Sequence, residues 1–236
     1  FENWESLQNN SGVTDEYELL TGPKTSSLYI AFNCKPDGTK HLPIFDDWRV
    51  RRAISHLVSV EAFNEEFYGG FGIPITTPVP VTSDDYNKDL QLRVRSRDSA
   101  SYWLDQAGWK DTDGDLMREK MIDGRMMPLK AVFTYPPRPS TEGLAKEMIA
   151  EAQAIGFNLE GEAIAIKNVG QKLRGPSRDY DMLVTGSSYG IGPYEFNQQW
   201  TSEALKNKSN YMGYTNPILD SLTAISESTY DLKKRR

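Results

Sequence analysis

The stretch Leu129–Ile166, LKAVFTYPPRPSTEGLAKEMIAEAQAIGFNLEGEAIAI, decides the fold class. Its first part, Leu129 to Tyr135, carries β-branched and aromatic residues and stops at Pro136-Pro137, so it reads as a strand ended by prolines. From about Thr141, the residues Leu144, Met148, Ala152 and Ile155 recur on one face at helical period, and Gly156 closes the helix. Phe157 to Ile166 then reads as a second strand. Strand, helix and strand of these lengths make a βαβ unit, with a right-handed crossover and parallel strands.

Working outward toward the carboxyl side, a short polar helix is expected near Val169 to Leu173 and a further strand over Tyr180 to Thr185. Asn216-Pro217 is an N-cap followed by proline at the first helical position, and Ile218, Leu219, Leu222 and Ile225 follow at helical spacing. Toward the amino side, Ser27 to Asn33 reads as a strand ended by Pro36-Asp37-Gly38. Asp46 or Asp47 caps a helix carrying Val50, Ala53, Ile54, Leu57 and Val58 on one face, which yields at Tyr68-Gly69-Gly70. Pro74, Pro78 and Pro80 make the next segment an extended surface loop and the one plausible seam of the chain. A helix from Arg97 to Ala107 ends at Gly108, and Asp111 to Asp115 form a tight turn. Helices and strands interleave throughout, without an internal repeat, so the expectation is one α/β body rather than two autonomous domains.

The composition sets limits on function. The 236 residues, 38% hydrophobic and 11% aromatic, suffice for one sizeable core. Asp and Glu outnumber Lys and Arg by 33 to 27, for a net charge of −6, which argues against a nucleic-acid partner. Lys233-Lys234-Arg235-Arg236 is the one basic cluster and reads as the solvated end of a helix. No stretch approaches the roughly 18 apolar residues of a membrane span. The single cysteine, Cys34, excludes an internal disulfide. The opening Phe1-Glu2-Asn3-Trp4 lacks a methionine and the chain ends in what reads as mid-helix at Asp231-Leu232-Lys233, as expected of a piece of a longer polypeptide.

Catalytic chemistry finds little footing. Of the two histidines, His56 lies at the edge of an apolar helix face, where packing or a hydrogen bond is the expected role. Cys34 and His41 could form a nucleophile pair, but a lone cysteine at a strand end is expected to be a small buried hydrophobe. Asp111, Asp113 and Asp115 invite a calcium reading, yet counting from Asp111 puts Leu116 and Ile122 where a calcium loop needs glycine and glutamate. A solvated hairpin turn is expected there, and no metal. Gly69, Gly70 and Gly72 follow a helix and precede Pro74, so they turn the chain rather than cradle phosphate. No cofactor is expected. A hydrolase would rest on carboxylates alone, and nothing selects a pair.

Ligand capture suits the chain better. The segment Ser187 to Trp200 combines glycines, neutral amides and the aromatics Tyr189, Tyr194 and Trp200, beyond the carboxyl end of a strand, where open α/β sheets bind ligands. The competing reading packs Phe196 and Trp200, four apart, into the core through a short helix.

Several segments in order resemble the peptide, dipeptide and nickel class of extracytoplasmic solute-binding proteins that serve ABC importers. They are Tyr29 to Asn33, Phe45 to Ser55, the glycine and proline loop from Gly70 to Pro80, and Leu104 to Asp115, whose acidic turn the resemblance explains as a hairpin. The resemblance covers about residues 26 to 230 and implies the second, carboxyl-side lobe of a type II, two-lobed periplasmic receptor, with a mixed sheet flanked by helices. Residues 1–25 would then lead in from the hinge, 26–236 would form the ligand-binding lobe, and the first lobe would lie outside this chain. The function implied is capture of peptides, or alternatively oligosaccharides, outside the cytoplasmic membrane by a monomeric, non-enzymatic receptor that delivers to a membrane permease. The location implied is periplasmic or otherwise extracytoplasmic, compatible with a lipid anchor. By position, Arg138 matches an arginine that peptide-binding members use for a ligand carboxylate. Dipeptide-type members place an aspartate before the proline that here is Pro193. This chain has Gly192 instead, so the ligand ammonium would depend on Glu195, and stacking on Tyr189, Tyr194 and Trp200 would equally suit a sugar.

Overall fold

The fold is given by a computed structural model that describes residues 2–22, 24, 26–37, 40–175, 177–188, 198–231 and 234. In chain order the elements are α1 (Glu2–Gln8), α2 (Ser11–Thr14), β1 (Ser26–Phe32), α3 (Trp48–Ile54), α4 (Val60–Tyr68), α5 (Arg97–Gln106), β2 (Glu119–Ile122) and β3 (Arg125–Pro128). They continue with β4 (Lys130–Tyr135), α6 (Pro139–Gln153), β5 (Asn158–Ala163), α7 (Ile166–Arg174), β6 (Met182–Ser188), α8 (Ser202–Lys206) and α9 (Pro217–Ser228).

The β4–α6–β5 unit forms as its sequence pattern predicts. Lys130 lies opposite Asn158 and Tyr135 opposite Ala163 in a parallel pair. Helix α6 begins two residues earlier than its apolar periodicity suggests, because Pro139 fits the first helical position and the Arg138 N–H is held by Thr141 Oγ1 at 3.3 Å. It closes at Gly156, whose φ of 77° only glycine adopts at no cost. The sheet order is β1-β6-β4-β5, with β6 parallel to β4 and antiparallel to β1, so the sheet is mixed as expected.

Alternation along β6 divides the core in two. Met182 and Val184 face a large cluster with Phe133 of β4, Leu159 of β5, Met148 of α6, Val50 of α3 and Leu104 of α5. Leu183 and Ala31 face the other way, onto Leu173 of α7, Tyr180, Tyr211 and Met212. Burial on both faces is why β6 opens as an unbroken apolar run, Met182-Leu183-Val184.

Three expectations need correction. The single helix running from Asp47 to Tyr68 is two: α3 stops at Ile54, and α4 restarts at Val60 because Ser59 Oγ accepts the Ala62 N–H at 3.2 Å and caps it. Helix α9 spans Pro217–Ser228 with Thr229 as its cap, and its apolar stripe does not enter the core, since Ile218, Leu222 and Ile225 are 70%, 58% and 61% exposed. The β2–β3 hairpin was not among the predicted elements, although Asp123-Gly124, with φ of 48° and 76°, is the turn pair that such hairpins favour.

Candidate functional site

The parallel strands β4, β5 and β6 all deliver their carboxyl ends to one edge of the sheet, and β1, running the other way, begins there with Ser26 opposite Ser188. This edge is where a doubly wound sheet offers space for a ligand. Arg138 stands on it three residues past the end of β4, exposed, and its guanidinium has no ion-pair partner among the described residues. It is also the N-cap residue of α6, so the positive end of a fifteen-residue helix lies beside the guanidinium. Together they can receive a carboxylate.

Trp200, the other described residue of the predicted set, is half-buried against the second core cluster with Tyr29, Ile164 and Val169. Its ring rests on that core. Tyr189, Gly192, Tyr194 and Glu195, like Phe196, lie outside the described residues.

A chain of hydroxyls that sequence reasoning did not single out runs from this edge into the second core. Tyr29 Oη meets Ser187 Oγ at 2.9 Å and also bonds Tyr211 Oη, while Tyr180 Oη donates to the Tyr211 carbonyl at 2.9 Å. Burial drives the Tyr180 and Tyr211 phenols far above their ordinary pKa, so they stay protonated and serve as hydrogen-bonding groups. Arg174 sits over the Tyr211 ring, 5.4 Å from its centroid.

At the opposite end of the sheet, His41 is bracketed by carboxylates. Its Nδ1 lies 2.8 Å from Asp181 Oδ1 and its Nε2 2.9 Å from Asp179 Oδ1, while Asp181 Oδ2 accepts the Val132 N–H at 2.8 Å. Burial pushes the Asp181 carboxyl above its usual value, whereas hydrogen bonds from Lys40 and then His41 pull Asp179 down to about 2. With both ring nitrogens engaged, His41 is not poised to activate Cys34, whose thiol is buried and raised in pKa by that burial. The network ties the loop after β1 to β6 and β4. His56 likewise has a structural partner, with Nδ1 2.9 Å from the Val94 carbonyl oxygen.

The acidic turn brings oxygens of Asp111, Asp113, Asp115 and Glu119 within 4.8 Å of one another. Asp111 accepts the N–H groups of Gly114 at 2.7 Å and Leu116 at 3.1 Å, Asp115 accepts that of Met117 at 2.7 Å, and buried Glu119 accepts the N–H and hydroxyl of Thr112. The carboxylates thereby close the turn on itself, as the hairpin reading expects.

Residues 1–208 match the model of the bacterial extracellular solute-binding proteins, family 5 Middle. The chain is 25% identical over 219 residues to the oligopeptide-binding protein AppA of Bacillus subtilis, covering 92% of this chain and 38% of that protein. It therefore spans well under half the length of that relative. The solved structure of AppA with a nonapeptide superposes with a TM-score of 0.79, over 92% of this chain and 41% of that one. NikZ of Campylobacter jejuni, solved with Ni(L-His), shares the fold at 20% identity and a TM-score of 0.74, over 98% of this chain and 44% of its own.

Proposed function

The chain belongs to the bacterial extracellular solute-binding proteins of family 5, and from that premise we propose that it is the peptide-capturing lobe of the substrate-binding component of an ABC importer, working outside the cytoplasmic membrane. The observation that carries the peptide reading is Arg138: an exposed guanidinium without an ion-pair partner among the described residues, set at the amino end of α6 on the ligand edge. A peptide's terminal carboxylate is the group such a fork receives bidentately. The AppA relative, described as bound to a nonapeptide, supports the same class.

One lobe walls only one side of a ligand. The chain covers 38% of its Bacillus relative, so the other wall is assigned to a second lobe, with residues 1–25 as the segment near the hinge. Tyr189, Gly192, Tyr194 and Glu195 would line the space beyond β6 along with Arg138, and Trp200 would brace that loop from beneath. Delivery to a membrane permease by a monomeric receptor, with no bond made or broken, completes the reading.

The test is a titration of the isotopically labelled chain with a nonapeptide bearing a free carboxyl terminus, its carboxyl-terminal amide, and a panel of oligosaccharides. The free acid should move the amide resonances of Tyr135, Arg138, Ser140 and Thr141 and of residues 186–188 with weak affinity, because half the enclosing surface is missing. The amide form and Arg138→Ala should each weaken binding about tenfold, the equivalent of roughly 1.4 kcal/mol. Equal binding of acid and amide would sink the carboxylate role. Nanomolar affinity of this chain alone would sink the half-site argument, and shifts with sugars but not peptides would move the ligand class to oligosaccharide.

A further inference from the structure

On the large-core face, helices α3 and α5 pack together and leave an aromatic and cationic surface that the peptide reading does not use. Trp48 and Trp103 approach with ring centroids 5.2 Å apart, and Tyr102 meets the Trp103 edge at the same separation. Trp48 is 51% and Tyr102 54% exposed, which is costly for rings of this size in water. The Arg52 guanidinium is stacked 4.4 Å from the Trp103 centroid, and its Nε is shut off from solvent without a hydrogen-bond partner. Arg93, exposed in the segment leading into α5, has its pKa lowered by partial desolvation and by the like charge of Arg52.

Of the neighbouring arginines, Arg49 pairs with Asp47, Arg95 with Glu147 and Arg97 with Glu151, and Arg51 donates to the Phe45 and Asp46 carbonyls. Arg52 and Arg93 are not paired with a carboxylate, among the described residues. Like charges with no carboxylate paired to either repel one another, and the Arg52 Nε has lost its hydration without gaining a partner. An incoming carboxylate would relieve both.

We propose that this surface, Trp48, Arg52, Arg93, Tyr102 and Trp103, docks a protein partner through a segment in which carboxylate side chains alternate with apolar ones. Trp, Tyr and Arg are the residues that concentrate binding energy at protein interfaces, and the unpaired positive charge selects an acidic partner although the chain as a whole carries a net charge of −6. A small anion would satisfy the guanidiniums but leave the rings in water. The surface is distinct from the ligand edge, and its test is independent of peptide capture.

The chain is labelled with 5-fluorotryptophan, so that its five tryptophans give separate fluorine resonances, assigned by Trp→Phe variants. The probe is acetyl-(Glu-Leu)4-amide, compared with acetyl-(Lys-Leu)4-amide, inorganic phosphate and phosphatidylglycerol vesicles. The acidic peptide should shift the Trp48 and Trp103 signals and leave Trp109, which is buried in the core, in place. Arg93→Gln, an exposed change, should weaken this binding at least tenfold, and Arg52→Gln should do the same with an unaltered far-ultraviolet spectrum. If Arg52→Gln fails to fold, the Arg93→Gln result decides alone. The proposal is overturned if the acidic peptide moves neither signal, if the lysine peptide binds as well, if phosphate or vesicles bind comparably, or if the two signals shift with protein concentration instead, which would mark a contact between copies.

Discussion

Asp181→Ala probes the pin between the loop after β1 and the sheet. The carboxylate is 7% exposed and does two things: Oδ2 accepts the Val132 N–H of β4 at 2.8 Å, and Oδ1 meets His41 Nδ1 at 2.8 Å. Alanine leaves a buried backbone N–H and a nearly buried imidazole nitrogen without partners, at about 1–3 kcal/mol each. The lost negative charge repays some desolvation, since burial already raises the Asp181 pKa. A net loss of about 2–5 kcal/mol follows, which for a domain of this size lowers the melting temperature by about 5–15 °C. Asp181→Asn keeps an acceptor for Val132 and should lose about half as much. Urea unfolding followed by far-ultraviolet circular dichroism measures both. If Asp181→Ala cost less than about 1 kcal/mol, or asparagine cost as much as alanine, the hydrogen-bond reasoning would be wrong.

Acid should destabilise the chain through carboxylates held below their ordinary pKa. Asp179 lies near 2 in the folded chain and near 3.8 unfolded, so its contribution is whole above pH about 4 and is lost as pH falls toward 2. The urea midpoint should drop across that window, and Asp179→Asn should flatten the drop. Asp181 acts oppositely: its folded pKa is raised, so stability from its protonated form fades as pH rises above 3.8, and Asp181→Asn should lessen that loss. Gly156→Ala forces φ of +77° and sets a Cβ 2.8 Å from the Leu116 carbonyl oxygen, so it should lose more stability than Gly114→Ala, where φ is +85° but nothing lies within 4 Å. Thermal melts of the pair separate the clash from the dihedral cost, about 1–2 kcal/mol.

Legibility in the sequence followed the range of the interactions concerned. The β4–α6–β5 unit was readable because its signals are local: proline after Tyr135, helical periodicity through Met148, glycine at 156. The break between α3 and α4 was obscured because Leu57 and Val58 continue the apolar period past Ile54, while the decisive cap at Ser59 is a single hydroxyl. The stripe on α9 shows the limit of periodicity, which marks an apolar face without telling what meets it. The role proposed for Arg138 comes from the family resemblance, whereas the hydroxyl chain through Tyr29 and Tyr211 joins residues 182 positions apart, which no local pattern reveals. The bracket around His41 is equally nonlocal, since Asp179 and Asp181 reach it only because β6 lies between β1 and β4.

The α9 stripe also changes how measurements on this chain respond to salt. Ile218, Leu222 and Ile225 give one heptad of greasy rungs, too brief for a zipper yet wide enough to hold a dye or a detergent tail. Excluded salts such as sulfate strengthen apolar association, while any salt screens the attraction of a guanidinium pair for an acidic segment. A single ammonium sulfate series therefore drives the two surfaces in opposite directions, and stickiness that grows along it belongs to α9.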